Sequence, residues 1–98
     1  MIDKESAYRV ANEYLSERYE SHMPVTILSE YTIEKNYGWL FFYNTKKYLE
    51  TKIFRDGLAG NGPLLVEKSN GKVTALGSYT SPEEIIKDFE RERGFSSD

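Results

Sequence analysis

The run Trp39-Leu40-Phe41-Phe42-Tyr43 constrains the fold more than any other stretch of this chain. From Trp39 to Asn44 it reads as a strand. Trp39, Phe41 and Tyr43 share one parity, and Leu40 and Phe42 the other. A strand that is apolar on both sides is either covered on both or keeps one side for a partner. Something must therefore pack on it, and the chain offers a helix near each end.

The first helix is expected over residues 3 to about 20. Asp3 can cap it by accepting from the first free amides. Ala7, Ala11, Tyr14, Leu15 and Arg18 fall on one stripe, with Tyr8, Val10 and Tyr19 near its edges. The two alanines permit close approach to a sheet. Ser21 to Pro24 ends the helix, because proline drives its predecessor out of helical geometry. The last helix opens at Ser81-Pro82-Glu83-Glu84, with Ser81 as cap, Pro82 in the first turn and Glu84 completing a capping box. Ile85, Ile86 and Phe89 form its apolar stripe. Gly94 closes it in the left-handed region, and Phe95 to Asp98 are expected to fray.

Between the helices, Val25 to about Glu34 reads as one strand, with Val25, Ile27, Tyr31 and Ile33 on one parity broken by Ser29. Lys35-Asn36-Tyr37-Gly38 supplies a turn. Residues Lys46 to Phe54 fit a strand or a loop, with Tyr48 to Thr51 as a short strand or turn. Asp56 to Pro63 is a loop. Leu64 to Lys68 and Lys72 to Leu76 are strands joined across Asn70-Gly71, the preferred centre of a two-residue hairpin. No linker or repeat divides the chain, so residues 1–98 are read as one domain. The fold expected is α+β: an antiparallel sheet of about four strands, with the N-terminal and C-terminal helices packed on one face. The other face is then left for a partner.

Little in the composition suggests chemistry. The formal net charge is −3 and there is no cysteine, so thiolate catalysis, thiolate metal sites and disulfides are excluded. Neither Lys46-Lys47 nor Arg91-Arg93 makes a basic face dense enough for nucleic acid. No apolar run approaches the ~18 residues of a membrane span, and the first residues do not resemble a signal peptide. A cytoplasmic location is expected. His22 is the only histidine, and no serine sits in the strand-to-helix elbow that a triad would need. One histidine without cysteine is poor material for zinc. The glycines before Pro63 invite a phosphate-loop reading, but a strand follows them rather than a helix N-terminus. A structural role fits Gly60 and Gly62 better, since they supply backbone geometry closed to other residues. Most carboxylates lie at solvated helical spacings, such as Glu13 with Glu17 and Asp88 with Glu92. No catalytic residue, cofactor or metal is expected, and the chain is read as a non-enzyme.

Tyrosine is the compositional outlier, at eight residues. Its ring and polar tip suit half-buried sheet margins and binding surfaces alike.

The ordered series Gly38-Trp39-Leu40-Phe41-Phe42, Gly60-Asn61-Gly62-Pro63 with the apolar strand after it, Asn70-Gly71, Leu76-Gly77, and the closing helix with Ile85, Ile86 and Phe89 resembles the immunity protein 35 family. These are small bacterial proteins encoded beside polymorphic toxins. The resemblance spans nearly the whole chain and implies a compact α+β domain that protects its own cell by binding a cognate protein toxin. It supplies no catalytic residue, and the matching motifs are structural in kind, so they do not mark the toxin surface.

Residue types nominate that surface instead. Glu30, Tyr31, Tyr43, Tyr48, Glu50 and Asp56 are the candidate partner-binding residues: aromatic anchors together with carboxylates that would pair with basic groups around a toxin's active site. The alternatives are a chaperone-like or housekeeping protein-binding domain with no dedicated toxin, and a homodimer formed through the same surface.

Overall fold

A computed structural model describes residues 1–19, 24–52, 62–78 and 80–95. Helix α1 spans Lys4–Arg18, strand β1 Val25–Ile27, a 3-10 turn Ser29–Tyr31, β2 Ile33–Lys35, β3 Gly38–Phe41, β4 Tyr43–Thr45, α2 Lys46–Thr51, β5 Leu64–Glu67, β6 Val73–Ala75 and α3 Pro82–Arg93. The four-stranded antiparallel sheet has the order β2-β3-β5-β6, and β1 and β4 form a separate antiparallel pair. The class is α+β, as expected.

The apolar run expected as one strand from Trp39 to Asn44 breaks at Phe42 into β3 and β4, which belong to different sheets, and β3 is an inner strand of the four-stranded one. Trp39 stands opposite Val66 and Phe41 opposite Leu64, while Leu40 faces Leu65 on one side and Ile33 on the other. Parity then divides the core in two. Trp39, Phe41, Leu64 and Val66 join Ile27 and Tyr43 beneath Ala7, Ala11 and Leu15 of α1. Leu40, Leu65 and Tyr37 meet Ile86, with Phe89, Phe95, Ile33 and Leu76 at the margin. The helices therefore cover opposite faces of the sheet, not one shared face, and no whole face is left over for a partner. The physical reason lies in β3 and β5, whose residues are buried throughout. Each face carries apolar side chains that, among the described residues, are covered by a different helix. A fully buried leucine or phenylalanine contributes about 2 kcal/mol, so leaving either face open would forfeit several such terms.

Local chemistry sets the ends. The Asp3 carboxylate accepts from Ser6 N at 2.8 Å, and Ala7, Ala11 and Leu15 recur every fourth residue on the buried side of α1. Ser81 Oγ accepts from Glu84 N at 3.3 Å, with Pro82 in the first turn. Gly94 closes α3 in the left-handed region, and Phe95 N donates back to the Glu90 carbonyl at 2.9 Å. That reversal is a Schellman motif with its usual apolar contact. Phe95 does not fray. Its ring stacks on Tyr37 at 4.5 Å between centroids and packs against Phe89 at 5.9 Å. Residues 96–98 lie outside the described residues.

Three further expectations are corrected. The run from Val25 to Glu34 is not one strand: a 3-10 turn at Ser29–Tyr31 separates β1 from β2. Residues 46–51 are neither strand nor loop but helix α2, capped by Thr45 Oγ1 accepting from Tyr48 N at 3.0 Å and closed by Lys52 in the left-handed region (φ 58°). Ile53 and Phe54 lie outside the described residues. The β5–β6 hairpin is wider than two residues, since Glu67 N donates to the Lys72 carbonyl and Gly71 N to the Glu67 carbonyl. Only Gly71 takes positive φ, while the Asn70 carboxamide accepts from Lys72 N at 2.9 Å. Gly38 is required by proximity: a Cβ there would run into the Val66 carbonyl of the neighbouring strand. Gly62 likewise lies against the Gly77 carbonyl, in keeping with a structural role for this glycine, whereas Gly60 and Asn61 lie outside the described residues.

Candidate functional site

Two polar or aromatic arrangements stand out, and they differ in kind. The first lies between the sheet and α3. The Tyr37 hydroxyl donates to Glu90 Oε2 at 2.7 Å, and Lys35 Nζ lies 3.2 Å from the same oxygen. Beside them Arg93 pairs with Glu67 Oε1 at 3.1 Å, and its guanidinium lies over the rings of Phe89 and Phe95. Glu67 and Glu90 are both buried. Buried carboxylates need partners, and these have them. The second Glu67 oxygen makes no hydrogen bond. The cluster is closed over by the aromatic lid of Phe89 and Phe95, so it ties α3 to the sheet rather than meeting a ligand.

The second arrangement is open. Along the outer side of α1 runs a groove of about 720 Å³ bordered by Tyr8, Asn12, Leu15, Tyr19, Pro24 and Val25. Beyond Tyr8 a smaller hollow of about 400 Å³ has Phe41 among its lining, with Ser29 and Thr32 from the two ends of the 3-10 turn. Tyr8 sits edge-on to Phe41 at 6.1 Å. Tyr31, on that same turn, is 62 % exposed, the most exposed aromatic among the described residues. The turn carries the chain from β1, paired with β4, into β2 at the edge of the four-stranded sheet, and the excursion leaves Glu30 and Tyr31 exposed. An exposed aromatic on a turn beside a hollow suits docking.

The six nominated residues do not gather in one place. Glu30 and Tyr31 sit together on the 3-10 turn, both exposed. Tyr48 and Glu50 are on α2, half-buried and exposed respectively. The α2 helix begins beside Pro24, whose carbonyl accepts from Lys46 N, so it adjoins the opposite end of β1. Tyr43 is only 8 % exposed and meets the edge of Tyr19 at 6.1 Å. It supports the surface from below and does not present itself. Asp56 lies outside the described residues, as does His22. Tyr8 and Tyr19 were not nominated. Their signal was their position at the edges of the α1 stripe, where an aromatic lines a helix margin and stays in reach of solvent.

Electrostatics near the groove are simple. Hydrogen bonding to Ser6 holds the Asp3 carboxyl below its ordinary range, with Arg9 acting in the same direction. Among the described residues no three histidine, cysteine or carboxylate side chains gather as a metal site, and no helix is long and apolar enough to cross a membrane.

Comparison with known proteins agrees with this picture. The model of a family described as immunity protein 35 matches residues 5–85. An uncharacterized protein of Escherichia coli (strain K12), YrhB, is 32 % identical over 90 residues, which cover 92 % of this chain and 90 % of the relative. No solved structure matches the chain. The family match runs from the first turn of α1, through every described strand, to the first turn of α3, and the chain belongs to the immunity protein 35 family.

Proposed function

We propose that this protein neutralises a cognate bacterial toxin by binding it one to one and occluding its active site, inside the cell that makes both. The observation that carries the reading is the family match over residues 5–85. The structure supports it with a surface suited to binding. Glu30 and Tyr31 stand together, both exposed, on a short 3-10 turn, and the flanking Ser29 and Thr32 line a hollow shared with Tyr8. Tyr31 would anchor in the toxin, and Glu30 would meet basic groups around its active site. Tyr48 and Glu50 are assigned to the periphery of that contact. No catalysis and no cofactor are invoked, because occlusion needs only complementary surface.

The test is co-expression with the product of the adjacent upstream gene, scoring growth and co-purification. Rescue from killing together with a one-to-one complex is the expected result. A neighbour that is harmless alone, or lethal and not rescued, would overturn the reading. Broad, weak capture of unfolded clients would then favour a chaperone-like binder, and concentration-dependent sedimentation a homodimer.

A further inference from the structure

Strand β1 carries backbone groups that no other described residue takes up. Across the β1–β4 ladder, Lys46 N donates to the Pro24 carbonyl at 3.0 Å and Leu28 N to the Phe42 carbonyl at 2.7 Å. The register sets Thr26 opposite Asn44, Val25 opposite Thr45 and Ile27 opposite Tyr43. Bonded and non-bonded pairs alternate in an antiparallel ladder. Positions 24, 26 and 28 therefore bond inward, and the N–H and C=O groups of Val25 and Ile27 point away from β4. Among the described residues no hydrogen bond takes them up. Among the described residues β1 is also an edge, paired on one side only. An edge with free donors and acceptors is a template for another strand.

The side chains of Val25 and Ile27 meanwhile turn to the α1 side of the sheet. The groove of about 720 Å³ opens there, between Pro24 and Val25 and the outer side of α1. A strand laid against β1 would send every second side chain into that groove, because strand side chains alternate. Charge selects the occupant further. Glu5 and Glu13 line the groove, and among the described residues neither is in an ion pair. Arg9 stands between them in the same lining, so the carboxylates outnumber the cation there.

We propose that β1 and this groove receive an extended segment of the toxin, added antiparallel or parallel to Val25–Ile27, with apolar residues at alternate positions and lysine or arginine reaching Glu5 and Glu13. This rests on the immunity reading and specifies its contact. Main-chain bonds would give affinity, and the groove would read the alternate side chains.

The test is amide-resolved hydrogen exchange on the isotope-labelled full chain, with three probes: the toxin encoded beside it, a peptide of alternating lysine and valine, and one of alternating glutamate and valine. The toxin and the lysine peptide should slow the Val25 and Ile27 amides at least tenfold and leave Thr26, already bonded to β4, unchanged. Val25→Pro removes an outward N–H and no ladder bond, a position where an edge strand tolerates proline. Compared with Val25→Ala, which loses the same packing but keeps the N–H, it should weaken toxin binding at least tenfold further at a similar melting temperature. A toxin that binds and neutralises without slowing these amides overturns the docking site and leaves the immunity reading standing. A toxin that neither binds nor is neutralised overturns both. Equal slowing by the glutamate peptide overturns the basic occupant. Slowing in the chain alone that grows with concentration assigns the edge to a second copy and overturns the toxin segment.

Discussion

Replacing Lys35 with methionine probes the pair that fastens α3 to the sheet. Lys35 Nζ lies 3.2 Å from Glu90 Oε2, with side-chain exposures of 16 % and 4 %. At that distance and an effective dielectric near 20, the attraction is about 5 kcal/mol before desolvation is subtracted. Removing one member of such a pair strands the other charge, at a cost of about 3–5 kcal/mol. Glu90 keeps the Tyr37 hydroxyl on the same oxygen, which places the expected loss at the lower end, about 3 kcal/mol. The melting temperature should fall by roughly 12–24 °C. Removing both charges, in Lys35→Met with Glu90→Leu, should leave a loss of about 1 kcal/mol, set by the Tyr37 hydroxyl deprived of this acceptor. The coupling energy is then about 2 kcal/mol or more. Urea unfolding followed by the fluorescence of Trp39, the only tryptophan, measures all the variants needed. A Lys35→Met loss below about 0.5 kcal/mol, or losses that simply add, would show that water already screens the pair and that burial here carries no penalty.

Other perturbations separate fold from function. Gly38→Ala pushes a methyl group at the Val66 carbonyl between two paired strands and should destabilise by about 1–3 kcal/mol, read by the same urea midpoint. The lowered Asp3 pKa makes the α1 cap strongest above the ordinary carboxylate range. That contribution fades as pH falls through the folded-state value, so Asp3→Asn, which keeps the capping oxygen, should flatten this part of the acid limb in a melting-versus-pH series. Tyr31→Ala removes a ring that is 62 % exposed. Stability should stay within about 0.5 kcal/mol, while toxin affinity measured by calorimetry drops at least tenfold, as for a hot-spot residue (about 1.4 kcal/mol or more).

Sequence legibility followed the range of the physics. Ala7, Ala11 and Leu15 announce α1 because four-residue spacing is local, and Ser81, Pro82 and Gly94 announce both ends of α3 by their backbone chemistry. Alternation along Trp39 to Tyr43 correctly separates the two core faces. Alternation cannot say which helix takes which face, because a strand apolar on both sides accepts either assignment. The 3-10 turn hid inside an alternating run whose parity Ser29 alone interrupts. Helix α2 hid because six residues are too few to show a period. The Lys35–Glu90 and Glu67–Arg93 pairs have no local signal at all, since their members meet only when α3 docks. The groove became visible only with the geometry of α1 against β1, although Tyr8 and Tyr19 already stood at the margin of the helical stripe.

Coverage of the sheet by one helix from each end of the chain also orders events on the ribosome. All six strands among the described residues precede α3. A nascent chain that has emerged as far as β6 can seat α1 on its own side, while Leu40, Leu65 and Tyr37 still await Ile86 and Phe89. Until Pro82–Arg93 follows, that half-finished face is an adhesive surface of the kind that drives misassembly during synthesis. Premature termination anywhere between β6 and α3 should therefore yield aggregates rather than a smaller working domain.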